Sequence, residues 1–175
     1  LCASDGFLTL EQFHRLHRAG VTSYHDNIET SRRFFPEICT THTFDQKLAT
    51  IRAAQEEGLC VCSGGIIGMG ETWEDRLDMA LTLAELGIES IPLNVLMPVK
   101  GTPLGEREVL MDDEILRTLA IFRMINPEAN IRLAGGRSAL SDNGAHSFSC
   151  GVSATITGNM LTTSGSTIQE DRAMV

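Results

Sequence analysis

Along this chain, short apolar runs alternate with longer stretches whose apolar residues recur every three or four positions, and that alternation restricts the architecture more than any other feature. Residues 21–27, 59–63, 88–95 and 130–134 read as strands. Helices are predicted between and around them. The first, over residues 9–19, opens on a Thr9-Leu10-Glu11-Gln12 capping box, sets Leu10, Phe13, Leu16 and His17 on one face, and stops at Gly20. The second runs over 45–57, with Asp45 as its cap, Leu48, Ile51 and Ala54 inward, and Gly58 behind it. Thr72-Trp73-Glu74-Asp75 opens the third, in which Leu77, Ala80, Leu81 and Ala84 recur before Gly87. Asp112 or Asp113 caps the fourth, which extends to about residue 125. Residues 138–148 are expected to form a further helix and 154–157 a short last strand.

Strands this apolar, each followed by a helix of similar length, point to a parallel sheet covered by helices. The pattern alone leaves open a doubly wound sheet or a section of a (β/α) barrel. In both, polar residues at the C-terminal ends of strands are the first place to seek a site. Those positions hold Cys2, Asn27 with Glu29, Cys62, Asn94, Arg132 and residues 154–157, and they are expected to converge on one mouth. Two cysteines and an arginine suit a metal site, while two amides and a carboxylate suit a polar ligand. Cys60 and Cys62 are expected to face opposite sides of their strand, leaving only Cys62, next to Ser63-Gly64-Gly65, for a site. The glycine-rich stretch from Gly64 to Gly70 is expected as a turn. It contains neither G-x-G-x-x-G nor a Lys-Ser/Thr ending, so it is a weak phosphate signal.

A formal net charge of −9 without any Lys/Arg cluster argues against nucleic acid or an anionic membrane as the main partner. Small molecules or proteins are the expected partners. No apolar run approaches 18 residues and no basic segment leads into a hydrophobic one, so neither a transmembrane helix nor a signal peptide is expected, and the expected compartment is the cytoplasm. Five cysteines at irregular spacings disfavour a disulfide framework and leave metal or redox roles open. His14, His17, His42 and His146 are scattered singly and read as surface or capping residues.

Several strings, in order and nearly end to end, carry a resemblance. They are Tyr24-His25-Asp26-Asn27-Ile28-Glu29-Thr30-Ser31, Cys39-Thr40-Thr41-His42-Thr43, Val61-Cys62-Ser63-Gly64-Gly65 running on to Gly70-Glu71-Thr72, Pro98-Val99-Lys100-Gly101-Thr102-Pro103, Ile131-Arg132-Leu133 with Gly136-Arg137, and Gly158-Asn159-Met160-Leu161-Thr162-Thr163. Together they resemble the biotin synthase family of radical S-adenosylmethionine enzymes. The resemblance implies the C-terminal part of a (β/α)₈ TIM-type barrel, roughly strands 4 to 8 with their helices. Residues from about 135 to 175 resemble the biotin and thiamin synthesis associated segment.

The implied activity is sulfur insertion into dethiobiotin to form biotin, with a [4Fe–4S] cluster, S-adenosylmethionine and a [2Fe–2S] cluster as cofactors. By the same resemblance, Cys2, Cys62 and Arg132 fall on [2Fe–2S] ligands, Cys62 and Arg132 also serving the sulfur chemistry. Asn27 and Asn94 fall on dethiobiotin-binding residues. Glu29 falls on a carboxylate that binds the adenosylmethionine ribose, and Lys47 stands where many members have Arg. His25 stands where many have Asn, and Ala154 where some have Ser.

The [4Fe–4S] motif, Cys-x₃-Cys-x₂-Cys, does not occur among Cys2, Cys39, Cys60, Cys62 and Cys150. The chain is therefore expected to be a fragment that is inactive alone, with an exposed sheet edge. A reductant protein such as flavodoxin or ferredoxin is the expected protein partner, and a homodimer the expected assembly. Two further readings are another radical S-adenosylmethionine barrel of the hydrogenase-maturation type and a non-catalytic binding module; the Cys62 and Arg132 pair favours the biotin synthase resemblance over the former, and the retention of cluster and substrate residues together favours it over the latter.

Overall fold

The computed structural model describes residues 1–159 and 165–174, so Met160-Leu161-Thr162-Thr163 of the string that begins at Gly158 lie outside the described residues. Seven parallel strands form one sheet: β1 (Cys2–Ala3), β2 (Ser23–His25), β3 (Cys60–Cys62), β4 (Gly65–Ile67), β5 (Ser90–Val95), β6 (Asn130–Leu133) and β7 (Ala154–Thr155). Their order is β1-β2-β3-β5-β6-β7, with β4 also against β5. Chain order and spatial order thus run together without the reversal that marks a doubly wound sheet, which settles the open choice in favour of barrel-type units. The sheet is not closed: among the described residues β1 pairs only with β2 and β7 only with β6.

β3 and β4 are one strand with a break. Cys62 lies opposite Ser90 and Gly65 opposite Leu93, so the register carries across Ser63 and Gly64. The break falls opposite Pro92, which has no N–H to give to the ladder. The expected glycine-rich turn is therefore partly strand. On the other flank, the Asn27 side-chain carbonyl stands in for a ladder carbonyl and accepts the Gly64 N–H at 3.0 Å.

The helices are α1 (Leu10–Arg18), α2 (Phe35–Ile38), α3 (Phe44–Glu56), α4 (Trp73–Glu85), α5 (Asp112–Ile125) and α6 (Ile168–Met174). Thr9 and Gln12 form the expected capping box on α1, and Thr72 with Asp75 forms one on α4. α3 is capped by Thr43, paired with Gln46, rather than by Asp45, because a threonine hydroxyl three residues before a glutamine satisfies two end groups at once. α5 has no side-chain cap; Asp112 instead accepts from the Ser141 backbone and hydroxyl. Residues 138–148 form no α-helix but two 3₁₀ turns, Arg137–Ala139 and Ala145–Cys150, each entered through a left-handed glycine.

Tyr24, Val61, Ile91, Leu93, Ile131 and Leu133 alternate onto one face and join a single core with Phe13, Ile51, Met79, Leu83, Leu119 and Phe122 of the helices. In α4 the buried stripe is Asp75, Arg76, Met79, Ala80 and Leu83, while Leu77 and Leu81 are 40% and 51% exposed, contrary to expectation. Both stripes have helical spacing, and the buried polar partners of Arg76 and Asp75 decide between them.

Asp75 ties the segment after β2 to α4. It accepts from Ser31 Oγ at 2.6 Å and Arg33 Nε at 2.9 Å, with Arg33 Nη2 on its other oxygen, and caps its own helix through Thr72. Burial acts to raise this carboxyl, but the hydrogen bonds from Arg33, Ser31 and Thr72 outweigh it and hold the group well below the usual carboxylate range. A depressed folded-state pKa contributes stability that is complete above the unfolded value of about 3.9 and is lost as pH falls through the folded value. Asp75→Asn is therefore expected to flatten the dependence of unfolding free energy on pH below about 4, measured by denaturant melts from pH 6 down to 2. An unchanged acid limb would count against the assignment.

Candidate functional site

The face of the sheet away from the helices is polar, and register orders it in rows. Cys2, Ser23 and Cys60 make one row; His25, Cys62, Ser90 and Asn130 make the next; Pro92, Arg132 and Ala154 make the third. Cys60 and Cys62 lie on this same face, contrary to expectation, because side chains two residues apart in a strand point the same way and Val61 between them turns to the helices. Cys60 is exposed in the lower row, and Cys62 is half-buried in the middle one.

Arg132 reaches back from the third row, and its Nη2 donates to Cys62 Sγ at 2.6 Å. His25 Nδ1 lies 3.3 Å from the same sulfur, approaching from the opposite flank of β3. Burial and the Arg132 charge push the His25 imidazolium below its ordinary range, with Asp26 opposing. Arg132 Nε is buried and has no partner among the described residues. Cys2 shares the face but stands on the edge strand one row lower; among the described residues its thiol makes only a long contact to the carbonyl of its neighbour Ala3, so the structure does not join it to Cys62.

A second group lies at the C-terminal ends of the strands, with Asn94 inside β5 and Asn27 and Glu29 just after β2. Asn27 Oδ1 is engaged by Gly64, leaving both of its N–H groups available. Asn94 Nδ2 donates to Gly65 O at 3.1 Å and its Oδ1 accepts from Gly135 N at 2.9 Å, so it bridges β4 and the turn after β6. Glu29, between them in sequence, has a left-handed φ of 69° and its backbone pairs with Gly64 and Ile66. Burial raises its carboxyl, Lys47 opposes this and Asp26 adds to it. A non-glycine residue held in this region marks a constrained position.

Lys47 does not stand free: its Nζ donates to Asp26 Oδ1 at 2.5 Å, and both side chains are largely buried. Asp26 was missed by the sequence reading, as was the ring contact of His25 to Cys62. The signal for Asp26 was a carboxylate directly after a strand, but its partner lies on another helix. Cys39 and His42, the latter expected as a surface or capping residue, also meet, with Sγ 3.4 Å from Nδ1. Among the described residues no three His, Cys, Asp or Glu side chains gather closely enough to hold a metal ion by themselves. No helix of the described residues is long and apolar enough to cross a membrane.

The chain matches the radical SAM superfamily over residues 1–83 and the biotin and thiamin synthesis associated domain over residues 92–175. All of its 175 residues align with biotin synthases from Alkaliphilus metalliredigens at 61% identity and Clostridium beijerinckii at 59%, and with biotin synthase 2 from Corynebacterium diphtheriae at 53%. The chain spans about half the length of these relatives, 55%, 55% and 53% respectively. In fold it is similar to methylornithine synthase, with a TM-score of 0.80 over 99% of this chain and 56% of that one at 17% identity. It is also similar to the FeFe-hydrogenase maturase HydG from Carboxydothermus hydrogenoformans, with a TM-score of 0.72 over 95% and 42% of the two chains at 17% identity.

Proposed function

We propose that this chain is part of a protein of the biotin synthase family of radical S-adenosylmethionine enzymes, and that the whole protein inserts sulfur into dethiobiotin to form biotin. The observation that carries the reading is the meeting of Arg132 and Cys62, from separate strands, on the sheet face that the helices leave uncovered.

The residues present fit an iron–sulfur cluster. Cys62 offers a soft sulfur ligand, and the guanidinium beside it keeps a buried nitrogen without a partner among the described residues. Cys62, Arg132 and Cys2 are the residues of this chain that would hold the [2Fe–2S] cluster. The [4Fe–4S] cluster has no ligand motif among these residues. When bound, S-adenosylmethionine and the [4Fe–4S] cluster supply radical chemistry, and the [2Fe–2S] cluster supplies sulfur.

The chain's own side chains bind and orient. Asn27 presents two N–H donors, and Asn94, anchored at both ends, keeps one N–H and one lone pair; a neutral ureido group can be met there without desolvating a charge. Because both amides are already fixed to backbone, little ordering remains at the moment of binding. Glu29 can accept from the ribose hydroxyls. Lys47 reaches the methionine carboxylate from its pair with Asp26, as a point charge rather than a fork. The same reading takes residues from about 135 to 175 as the associated C-terminal segment, a flavodoxin or ferredoxin as reductant, a homodimer as the assembly, and the cytoplasm as the compartment.

The test is anaerobic reconstitution with iron and sulfide, followed by visible absorbance and iron counting, on the wild-type chain and on Cys62→Ala. Iron and absorbance are expected in the first and largely lost in the second. Equal iron in both would remove Cys62 from the ligand set, and no dethiobiotin turnover by the whole protein would remove the activity.

A further inference from the structure

We propose that His25 is a positioning residue for the cluster, donating an Nδ1–H hydrogen bond to the Cys62 sulfur from the flank of β3 opposite to Arg132. The inference rests on the reading of Cys62 as a cluster ligand and adds a residue for which that reading has no role. His25 and Cys62 are direct register partners in adjacent parallel strands, so the ring and the sulfur leave the same face side by side. The separation from Nδ1 to Sγ is 3.3 Å.

The backbone that carries His25 is held on both sides. Tyr24 is fully buried against Phe13 with its hydroxyl donating to Gly6 O, and Asp26 is tied to Lys47 of α3. The ring is therefore directed at the sulfur by neighbours that cannot easily move. A donor to a ligating sulfur withdraws charge from it and favours the more reduced, more negative state of an iron–sulfur centre. With Arg132 donating from the other flank, the Cys62 sulfur sits between two donors from β2 and β6.

The experiment is a redox titration of the reconstituted whole protein, followed by visible absorbance, for wild type, His25→Leu and His25→Asn. The Leu variant removes the donor, and its midpoint potential is expected to move to more negative values with displaced visible bands at unchanged iron content. Asn carries an N–H donor at the same remove from Cβ as Nδ1 and is expected to stay closer to wild type than Leu. A Leu variant with the wild-type midpoint and bands overturns the proposal. If the Leu variant holds no iron, His25→Ala, which also lacks the donor, decides: a midpoint below wild type supports the hydrogen bond, and one equal to wild type overturns it. Strong histidine nitrogen coupling in pulsed paramagnetic resonance of the wild type, absent from both variants, overturns it in favour of direct ligation. A wild-type cluster indifferent to Cys62→Ala removes the family reading of the site itself, a result distinct from an unmoved midpoint in a cluster that does need Cys62.

Discussion

A Gly64→Ala variant should lose about 4 kcal/mol or more of folding stability, placing it among the exceptional single substitutions. A Cβ built at Gly64 would lie 1.8 Å from the Pro92 carbonyl oxygen, 2.8 Å from its carbonyl carbon and 3.1 Å from its ring Cδ. The first two are backbone atoms of β5, an interior strand paired on both sides, so no rotamer change relieves the overlap. The strand would have to part from β5 where Asn27 and Asn94 grip Gly64 and Gly65, and the damage should reach the polar end of the sheet as well as the core. Gly6→Ala is the comparison: its Cβ meets nothing within 4 Å, and only the positive φ of 72° is strained, a cost of about 1–2 kcal/mol. Chemical denaturation of the two variants decides the matter. A Gly64→Ala protein no less stable than Gly6→Ala would refute the close approach of the break between β3 and β4 to Pro92 of β5.

Arg76→Met should cost about 3–5 kcal/mol, the range found when one partner of a buried ion pair is removed. Arg76 Nε donates to Glu71 Oε1 at 2.8 Å, and the two side chains are 3% and 1% exposed. Glu71 also accepts the backbone N–H groups of Gly68, Met69 and Gly70, so its carboxylate organises the whole turn between β4 and α4. Arg76 further reaches Glu114 at 2.9 Å and Thr118 at 3.3 Å on α5, and its guanidinium lies over the Trp73 ring. Methionine fills a similar volume but leaves Glu71 as a buried charge without its cation. The double variant Glu71→Gln with Arg76→Met should recover part of the loss, because two neutral groups of matching shape avoid the stranded charge. Urea midpoints of Arg76→Met, Glu71→Gln and the double variant measure this; additive losses would mean that the two residues do not act as a pair.

Much of the candidate site was legible in the sequence, for a local reason. Cys62, Asn94 and Arg132 were found by asking only which polar residues stand in, or at the ends of, apolar runs, and those runs are marked by a few neighbouring residues each. Asn27 and Glu29 follow the same rule at the end of β2. Lys47 entered through resemblance alone, and the sequence held no sign that Asp26 would occupy it. His25 was visible as a histidine in the place of an asparagine, but its contact with Cys62 depends on which residue of β3 pairs with it. Cys60 and Cys62 could have been placed on one face from spacing, since residues two apart in a strand share a side.

The elements themselves came from local rules. Periodicity placed most of the strands and helices, and hydroxyl-to-amide spacing placed the caps at Thr9 and Thr72, because dihedral preferences and end-group satisfaction act within a turn of chain. Only the tertiary structure decided the rest. The progressive strand order, the choice of Arg76 over Leu77 as the buried side of α4, the Lys47 pair with Asp26 and the Arg132 contact with Cys62 across 70 residues all depend on which surfaces pack together. Those are set by register, side-chain reach and the need of buried charges for partners, which no local stretch of sequence contains.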